Sequence, residues 1–102
     1  MVHNKLVRDQ IPAIIARQGR AAHTRILSPE EYTRALEQKL DEETAEFHLE
    51  KNLEELADIL EVVYALAEDL GSTKEELLEA YREKHEKRGG FRDRIFLIST
   101  EE

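Results

Sequence analysis

Residues 53–70 constrain the fold more than any other segment, because twelve of these eighteen residues are apolar. A polar strip of Glu54, Asp58, Glu61 and Glu68 interrupts the apolar surface if the segment is a helix. A helix that is apolar on most sides is normally buried on most sides. A chain of 102 residues has few other segments to cover it. The segment therefore predicts a homodimer or homotetramer with the 53–70 helix in the interface.

Start and stop signals predict four helices. Ser28 is followed by proline at the first helical position and by Glu31 three residues later, a combination typical of a capped helix start. Asn52 and Thr73 are capping residues before two further helices, and Gly71 and Gly89 are expected helix stops. The predicted helices run from about Gln10 to Gln18, from Ser28 to about Leu49, from Asn52 to near Leu70, and from Ser72 to roughly Arg88.

Two short segments outside the helices read as strands. They are His23–Leu27 and Ile95–Ile98, and we expect them to pair with each other. With no repeat, linker or low-complexity tract, residues 1–102 form one domain. The predicted fold class is all-α: an oligomeric four-helix bundle with a small two-stranded β appendage.

Two acidic motifs, Glu43-x-x-Glu46 and Glu55-x-x-Asp58, carry the chemistry. On a helix, residues three apart lie on one face, so each motif can aim two carboxylates at one point. Glu43 and Glu55 also fall within apolar stripes, where a carboxylate loses hydration and needs a cation or a hydrogen-bond partner. Two such pairs facing each other would make an all-oxygen site for a hard cation such as Mg²⁺.

The negative charge is concentrated around these motifs. Residues 37–61 contain ten acids and only two bases, so this window equals the net charge of −8 of the whole chain. Such a concentration argues against direct nucleic-acid binding at the window and suits a cation site. A solvated acidic helix face is the alternative interpretation. The start of the chain lacks the apolar run of a signal peptide, and no stretch is long enough to span a membrane, so a cytoplasmic location is expected.

Basic residues lie towards the two ends of the chain. Lys5 and Arg8 are near the start, and Lys84 and Arg88 are near the end of the last predicted helix. If the ends fold back over the acidic window, these cations could contact phosphate oxygens. Alternatively, Lys84 and Arg88 only complement the C-terminus of their own helix.

The two acidic motifs, read as Glu42-Glu43-x-x-Glu46 and Glu55-x-x-Asp58, resemble the signature of the MazG-like, all-α nucleoside triphosphate pyrophosphohydrolases. This superfamily includes phosphoribosyl-ATP pyrophosphohydrolase and the dimeric dUTPases. The segment Asn4–Pro12 and the motif Arg88-Gly89-Gly90-Phe91 resemble small, stand-alone members. The eight residues between Glu46 and Glu55 are fewer than is usual in the superfamily, so the connection between the two helices must be tight.

The resemblance implies Mg²⁺-dependent hydrolysis between the α- and β-phosphates of a nucleotide, giving a monophosphate and pyrophosphate, with Mn²⁺ as a substitute metal. It implies metal ligation by Glu43, Glu46, Glu55 and Asp58, catalytic roles for Glu42, Glu43 and Glu46, and phosphate contacts from Lys5, Arg8, Lys84 and Arg88. Glu42 is expected to hold a second metal, to act as a base through water, or to face solvent. The substrate could be a canonical nucleotide, a damaged one cleared from the pool, or a non-nucleotide pyrophosphate. A nucleotide-binding module without turnover and a helical interaction module are the alternatives.

Overall fold

The computed structural model describes residues 1–101, which contain four α-helices and no β-strand. They are α1 (Ile11–Arg17), α2 (Pro29–Leu49), α3 (Leu53–Asp69) and α4 (Lys74–Arg88). The predicted all-α class is therefore confirmed, and the helix bounds lie within one or two residues of those expected from the sequence. Over the same residues, none of the helices combines the length and the apolar character needed to cross a bilayer.

The N-terminus of α2 is held by the capping pattern visible in the sequence. The Ser28 hydroxyl accepts from the backbone N–H of Glu31 at 3.3 Å, and the Glu31 carboxylate accepts from the Ser28 N–H at 3.0 Å. Arg25 also donates to both Glu31 oxygens, at 3.1 and 2.8 Å. These hydrogen bonds, that from Arg25 first, lower the pKa of Glu31 to about 2. The start of α2 is thus defined by local polar contacts before any tertiary packing.

Helices α2 and α3 form a tight hairpin. Only residues 50–52 connect them, and the Asn52 side chain accepts from the backbone N–H of Glu55 at 3.0 Å to cap α3. The buried side chains of the described residues, Leu36, Val62 and Ala67, all belong to these two helices. The predicted tight connection is confirmed. It places the C-terminal turns of α2 beside the N-terminal turns of α3, where both acidic motifs lie.

Helix α4 packs against α3 only near its start. Thr73 and Glu76 form a second capping box, and Leu77 and Leu78 are half-buried. Every residue from 79 to 101 is exposed. The radius of gyration is 18.0 Å, whereas a compact domain of this length has about 13 Å. The distal part of α4 and the segment after it therefore project away from the rest of the chain.

The predicted two-stranded β appendage is wrong for the single chain. Residues 23–27 and 95–98 are both irregular, and no β-bridge joins them within residues 1–101. A strand needs a hydrogen-bonded neighbour, whereas its composition is only a local preference. Here α4, fifteen residues and about 22 Å long, carries the second segment away from the first.

Candidate metal centre

The acidic cavity lies where the end of α2 faces the start of α3. It has a volume of about 430 Å³, is open to solvent, and is lined by Lys5, Lys39, Glu42, Glu43, Glu46, Glu55 and Asp58. All five acids predicted for the site from the sequence therefore line one cavity. They meet because each motif occupies one helix face and because the three-residue connection aligns the two helices.

The carboxylates of three of these acids lie close enough together to share one cation. One carboxylate oxygen from each of Glu43, Glu55 and Asp58 lies within 4.8 Å of the other two, and all three residues are half-buried. Opposite ligands around Mg²⁺ are about 4 Å apart, because each Mg–O bond is about 2.1 Å long. The oxygens of these three residues therefore fit a hard divalent cation after a small adjustment of their side chains, with water completing its coordination.

Glu46 and Glu42 lie at the edge of this centre. Both line the cavity and both are exposed, but neither belongs to the group of three oxygens within 4.8 Å. Of the four metal ligands predicted from the sequence, the structure thus brings three together and leaves Glu46 beside them. An exposed carboxylate at this edge is placed to bind a metal through water or to accept a proton from a water molecule.

The electrostatic cost of gathering these acids is visible at Glu55. Partial burial raises the pKa of its carboxyl above the ordinary value, and the nearby negative charges of Asp58, Glu46, Glu43 and Glu50 raise it further. A cation in the cavity would reverse this effect because it stabilises the ionised form.

Lys39 is a basic side chain that pairs with two of these acids. Lys39 lies 3.2 Å from Glu43 and 3.4 Å from Glu42, and the side chains of Lys39 and Glu43 are only 19% and 14% exposed. Sequence reasoning missed Lys39 as a site residue. The signal that could have found it is its spacing of three and four residues before Glu42 and Glu43 on one helix.

Arg8 approaches the same acids from the N-terminal segment. Its guanidinium donates to Asp58 at 2.6 Å and to Glu61 at 3.4 Å. The Arg8 and Asp58 side chains are 51% and 39% exposed, and an ion pair this accessible contributes about 0–1 kcal/mol. A divalent cation can therefore compete with Arg8 for Asp58. Lys5 also lines the cavity, so the N-terminal basic residues lie at the acidic window, which was the condition for their phosphate contacts.

The C-terminal basic residues are placed differently. Lys84 and Arg88 are exposed on the distal part of α4 and are not among the residues that line the cavity of this chain. Their predicted phosphate contacts have no counterpart within the described residues. Both lie beyond the short stretch in which α4 packs on α3, so the direction of α4 decides their position.

Comparison with known proteins leaves the family open. No family model and no solved structure matches the chain. A relative from Mycolicibacterium smegmatis, described as an uncharacterized protein, is 55% identical over 42 residues. This match covers 41% of the present chain and 43% of the relative, so the chain matches less than half of the relative's length. The similarity is high but local, and the name of the relative states no activity.

Proposed function

We propose that this protein is a Mg²⁺-dependent nucleoside triphosphate pyrophosphohydrolase. The observation that carries the proposal is the convergence of Glu43, Glu55 and Asp58 oxygens within 4.8 Å, contributed by two antiparallel helices. These residues belong to the two motifs that resemble the MazG-like superfamily. An open acidic cavity suits a substrate that arrives with its own phosphates and shares a metal with the protein.

The proposed reaction cleaves the bond between the α- and β-phosphates. A triphosphate is strongly negative, so the acidic cavity would repel it unless a cation bridged the two. Mg²⁺ held by the carboxylates would supply that bridge and polarise the phosphoryl group. A carboxylate at the cavity edge, Glu42 or Glu46, is placed to accept the proton of the attacking water. The products are a nucleoside monophosphate and pyrophosphate.

Lys5 and Arg8 are the proposed phosphate contacts on the protein. Lys5 already lines the cavity, and Arg8 lies at Asp58. If Asp58 held a metal, the guanidinium of Arg8 would be free to contact a phosphate oxygen instead, because its planar fork suits bidentate contact with phosphate. Lys84 and Arg88 stay predicted contacts. A nucleotide substrate is also consistent with the expected cytoplasmic location.

We further propose that a second copy of the chain covers α3. Leu53, Leu56, Leu60 and Leu70 are 81%, 44%, 47% and 85% exposed in the single chain. The chain exposes 9567 Å², whereas a compact monomer of this mass exposes about 6,000 Å². The excess is about 3,500 Å² for one chain, or about 7,000 Å² for two, which is more than the total of about 2,000–5,000 Å² that obligate homodimers typically bury. Part of this excess comes from the exposed residues 79–101, and the rest includes the apolar side chains of α3. Light scattering should therefore give a mass of two or four chains, and a mass of one chain at micromolar concentration would remove this part of the proposal.

The ion pairs of the cavity favour one alternative. Lys39 and Arg8 already neutralise part of the acidic cluster, as expected if the cluster were a structural charge network in a helical interaction module. The two readings differ in their response to metal. A cation site gains thermal stability when Mg²⁺ is added, because ligands that bind only the folded state stabilise it. A structural network would lose stability, or show none of this gain.

The deciding experiment measures pyrophosphate release from canonical and modified nucleoside triphosphates, with Mg²⁺, with Mn²⁺ and with EDTA. Release of pyrophosphate with monophosphate, abolished by EDTA and by Glu55→Gln, is the expected result. Glu54→Gln is the matched control, since Glu54 is an exposed acid of the same helical turn and does not line the cavity. Equal activity of the two variants would contradict the proposed site. Absence of turnover with stabilisation by Mg²⁺ and nucleotide would favour a binding module.

A further inference from the structure

We propose that residues 23–27 of one copy pair as a β-ribbon with residues 95–98 of a second copy. This inference rests on the association of two copies put forward above, and it names the contact that joins them outside α3. Its chemistry is backbone hydrogen bonding between two extended segments, each supplied by a different chain.

The C-terminal segment 95–98 has no partner among residues 1–101. Ile95, Phe96, Leu97 and Ile98 are 84%, 87%, 74% and 89% exposed. Within the described residues, no backbone N–H or C=O of 95–101 takes part in a hydrogen bond. Four consecutive large apolar residues with unpaired backbone are a template for pairing with another chain. An exposed apolar segment of this kind usually marks a site of interaction with another chain.

The backbone groups of the segment before α2 are also unpaired within residues 1–101. Ile26 is 95% exposed, and no backbone group of residues 21–27 is hydrogen-bonded within residues 1–101. Its end is nevertheless anchored, because Leu27 is half-buried and Arg25 donates to both oxygens of Glu31. Because one end of the segment is held, pairing with a strand would have to order fewer residues than in a free segment.

The two segments are kept apart within one chain. Residues 23–27 precede α2, whose Thr33 donates to Asp69 at the end of α3, so they lie at the end of the molecule where α4 begins. Residues 95–98 follow the far end of α4, about 22 Å away along the helix. Gly89, at φ +78°, ends α4, and Arg94 N–H donates to Phe91 C=O at 3.1 Å in a turn. The arm from residue 89 onward therefore leaves its own chain.

If a two-fold axis relates two copies, residues 23–27 and residues 95–98 can both gain a pairing partner. If the arm of one copy reaches the 23–27 segment of the other, symmetry makes the reverse contact as well, and the assembly closes. One pair of charges also fits this arrangement. Arg94 directly precedes residues 95–98, and Glu30 lies just after residues 23–27; neither has an ion-pair partner within the described chain. In an antiparallel ribbon Arg94 of one copy would come close to Glu30 of the other.

Cysteine cross-linking tests the pairing directly, because the chain contains no cysteine. An affinity-tagged Ile26→Cys variant is mixed in turn with untagged Ile95→Cys, Phe96→Cys and Leu97→Cys variants, allowed to exchange subunits, and oxidised. Three positions are used because directly opposed Cβ atoms in a ribbon are about 5 Å apart and the register is open. Glu37→Cys, an exposed position on α2, replaces the arm variant as the control.

We expect a mixed disulfide between the tagged chain and at least one arm variant. It should form on the order of a thousandfold faster than a disulfide between unassociated chains, since neighbours in an assembly meet at millimolar effective concentration and free chains at micromolar concentration. The Glu37→Cys control should stay near the slower rate, because its cysteine does not face Ile26 in the proposed ribbon. The masses of all variants are measured in parallel by light scattering. A dimeric or tetrameric mass without the mixed disulfide would overturn the ribbon and leave the α3 association standing. A monomeric mass would overturn both.

Hydrogen exchange gives a second, independent readout on the native sequence. Amides of 23–27 and 95–98 should be protected at concentrations at which the chain is associated. Leu97→Pro removes a backbone donor from the ribbon, so it should abolish protection of residues 23–27 while leaving that of α2 and α3 unchanged. Leu97→Val is the matched control and should keep the protection. Unprotected 23–27 amides in the associated wild type, or a disulfide only between two arm variants, would refute the pairing.

Discussion

Asp58→Asn is the most informative perturbation of the candidate metal centre. The substitution keeps the shape of the side chain and one carbonyl oxygen but removes its negative charge. The side chain is 39% exposed, so the dielectric constant of water gives a lower bound for the electrostatic effect. A carboxylate about 2.1 Å from Mg²⁺ attracts it by about 4 kcal/mol under these conditions.

Repulsion between Asp58 and the other two acids does not reduce this loss, because it is present with and without the metal. What Mg²⁺ displaces is the ion pair of Asp58 with Arg8, which contributes about 0–1 kcal/mol. Removing the Asp58 charge therefore costs Mg²⁺ binding about 3–4 kcal/mol, or roughly a 200- to 900-fold increase in Kd. Any dielectric constant below that of water would enlarge the loss.

The assay is calorimetric titration of the apoprotein with Mg²⁺ and, separately, with Mn²⁺. Glu61→Gln is the matched control, because Glu61 is the other partner of Arg8 but does not line the cavity. We expect the control to bind within about twofold of wild type, since exposed ion pairs contribute about 0–1 kcal/mol. Circular dichroism should show equal helix content in all three proteins. An Asp58→Asn variant that binds Mg²⁺ as tightly as wild type would refute the assignment of Asp58 as a ligand.

Three further predictions concern Glu55, Lys39 and the start of α2. The raised pKa of Glu55 means that its protonated form contributes stability below its ordinary pKa of 4.5, and this contribution is lost as the pH rises through the raised value. Glu55→Gln should therefore raise the free energy of unfolding of the metal-free protein at neutral pH, as measured by urea titration. The same variant should lose the stabilisation by Mg²⁺. A metal-free variant less stable than wild type would contradict this reasoning. Lys39→Met removes a cation 3.2 Å from Glu43, and Mg²⁺ should bind about tenfold more tightly; calorimetry showing unchanged or weaker binding would argue against competition. Ser28→Ala removes the side-chain acceptor that caps α2 and should lower the free energy of unfolding by about 1 kcal/mol; no change on urea denaturation would show that Arg25 and Glu31 hold this end alone.

Helix boundaries illustrate what could be predicted before the structure. Ser28, Asn52 and Thr73 each cap a helix through bonds to residues three positions on. Such contacts are local, so composition and spacing are enough to locate them. The face of each helix follows from its period for the same reason, which is why the acidic motifs could be predicted to meet in one cavity. The three-residue connection left them little freedom to do otherwise.

The strand prediction failed for the opposite reason. Residues 23–27 and 95–98 have strand composition, but pairing depends on where α4 carries the second segment. That direction is set by how much of α4 packs on α3, and this depends on non-local contacts. The hydrogen bond from Arg8 to Asp58 joins residues fifty positions apart. The sequence could not select this contact from the several others that the basic ends could make with the acidic window.

Contacts within one or two helical turns account for the four helices, their caps, the helix face of each acidic motif and the pairing of Lys39 with Glu43, so the sequence is enough to predict them. The convergence of three acids from α2 and α3, with Glu46 at the edge, and the contact of Arg8 with Asp58 depend on the tertiary structure. It also decided that α4 leaves its own chain with Lys84 and Arg88. These outcomes depend on distances between segments far apart in the chain, and the period of a single helix carries no information about them.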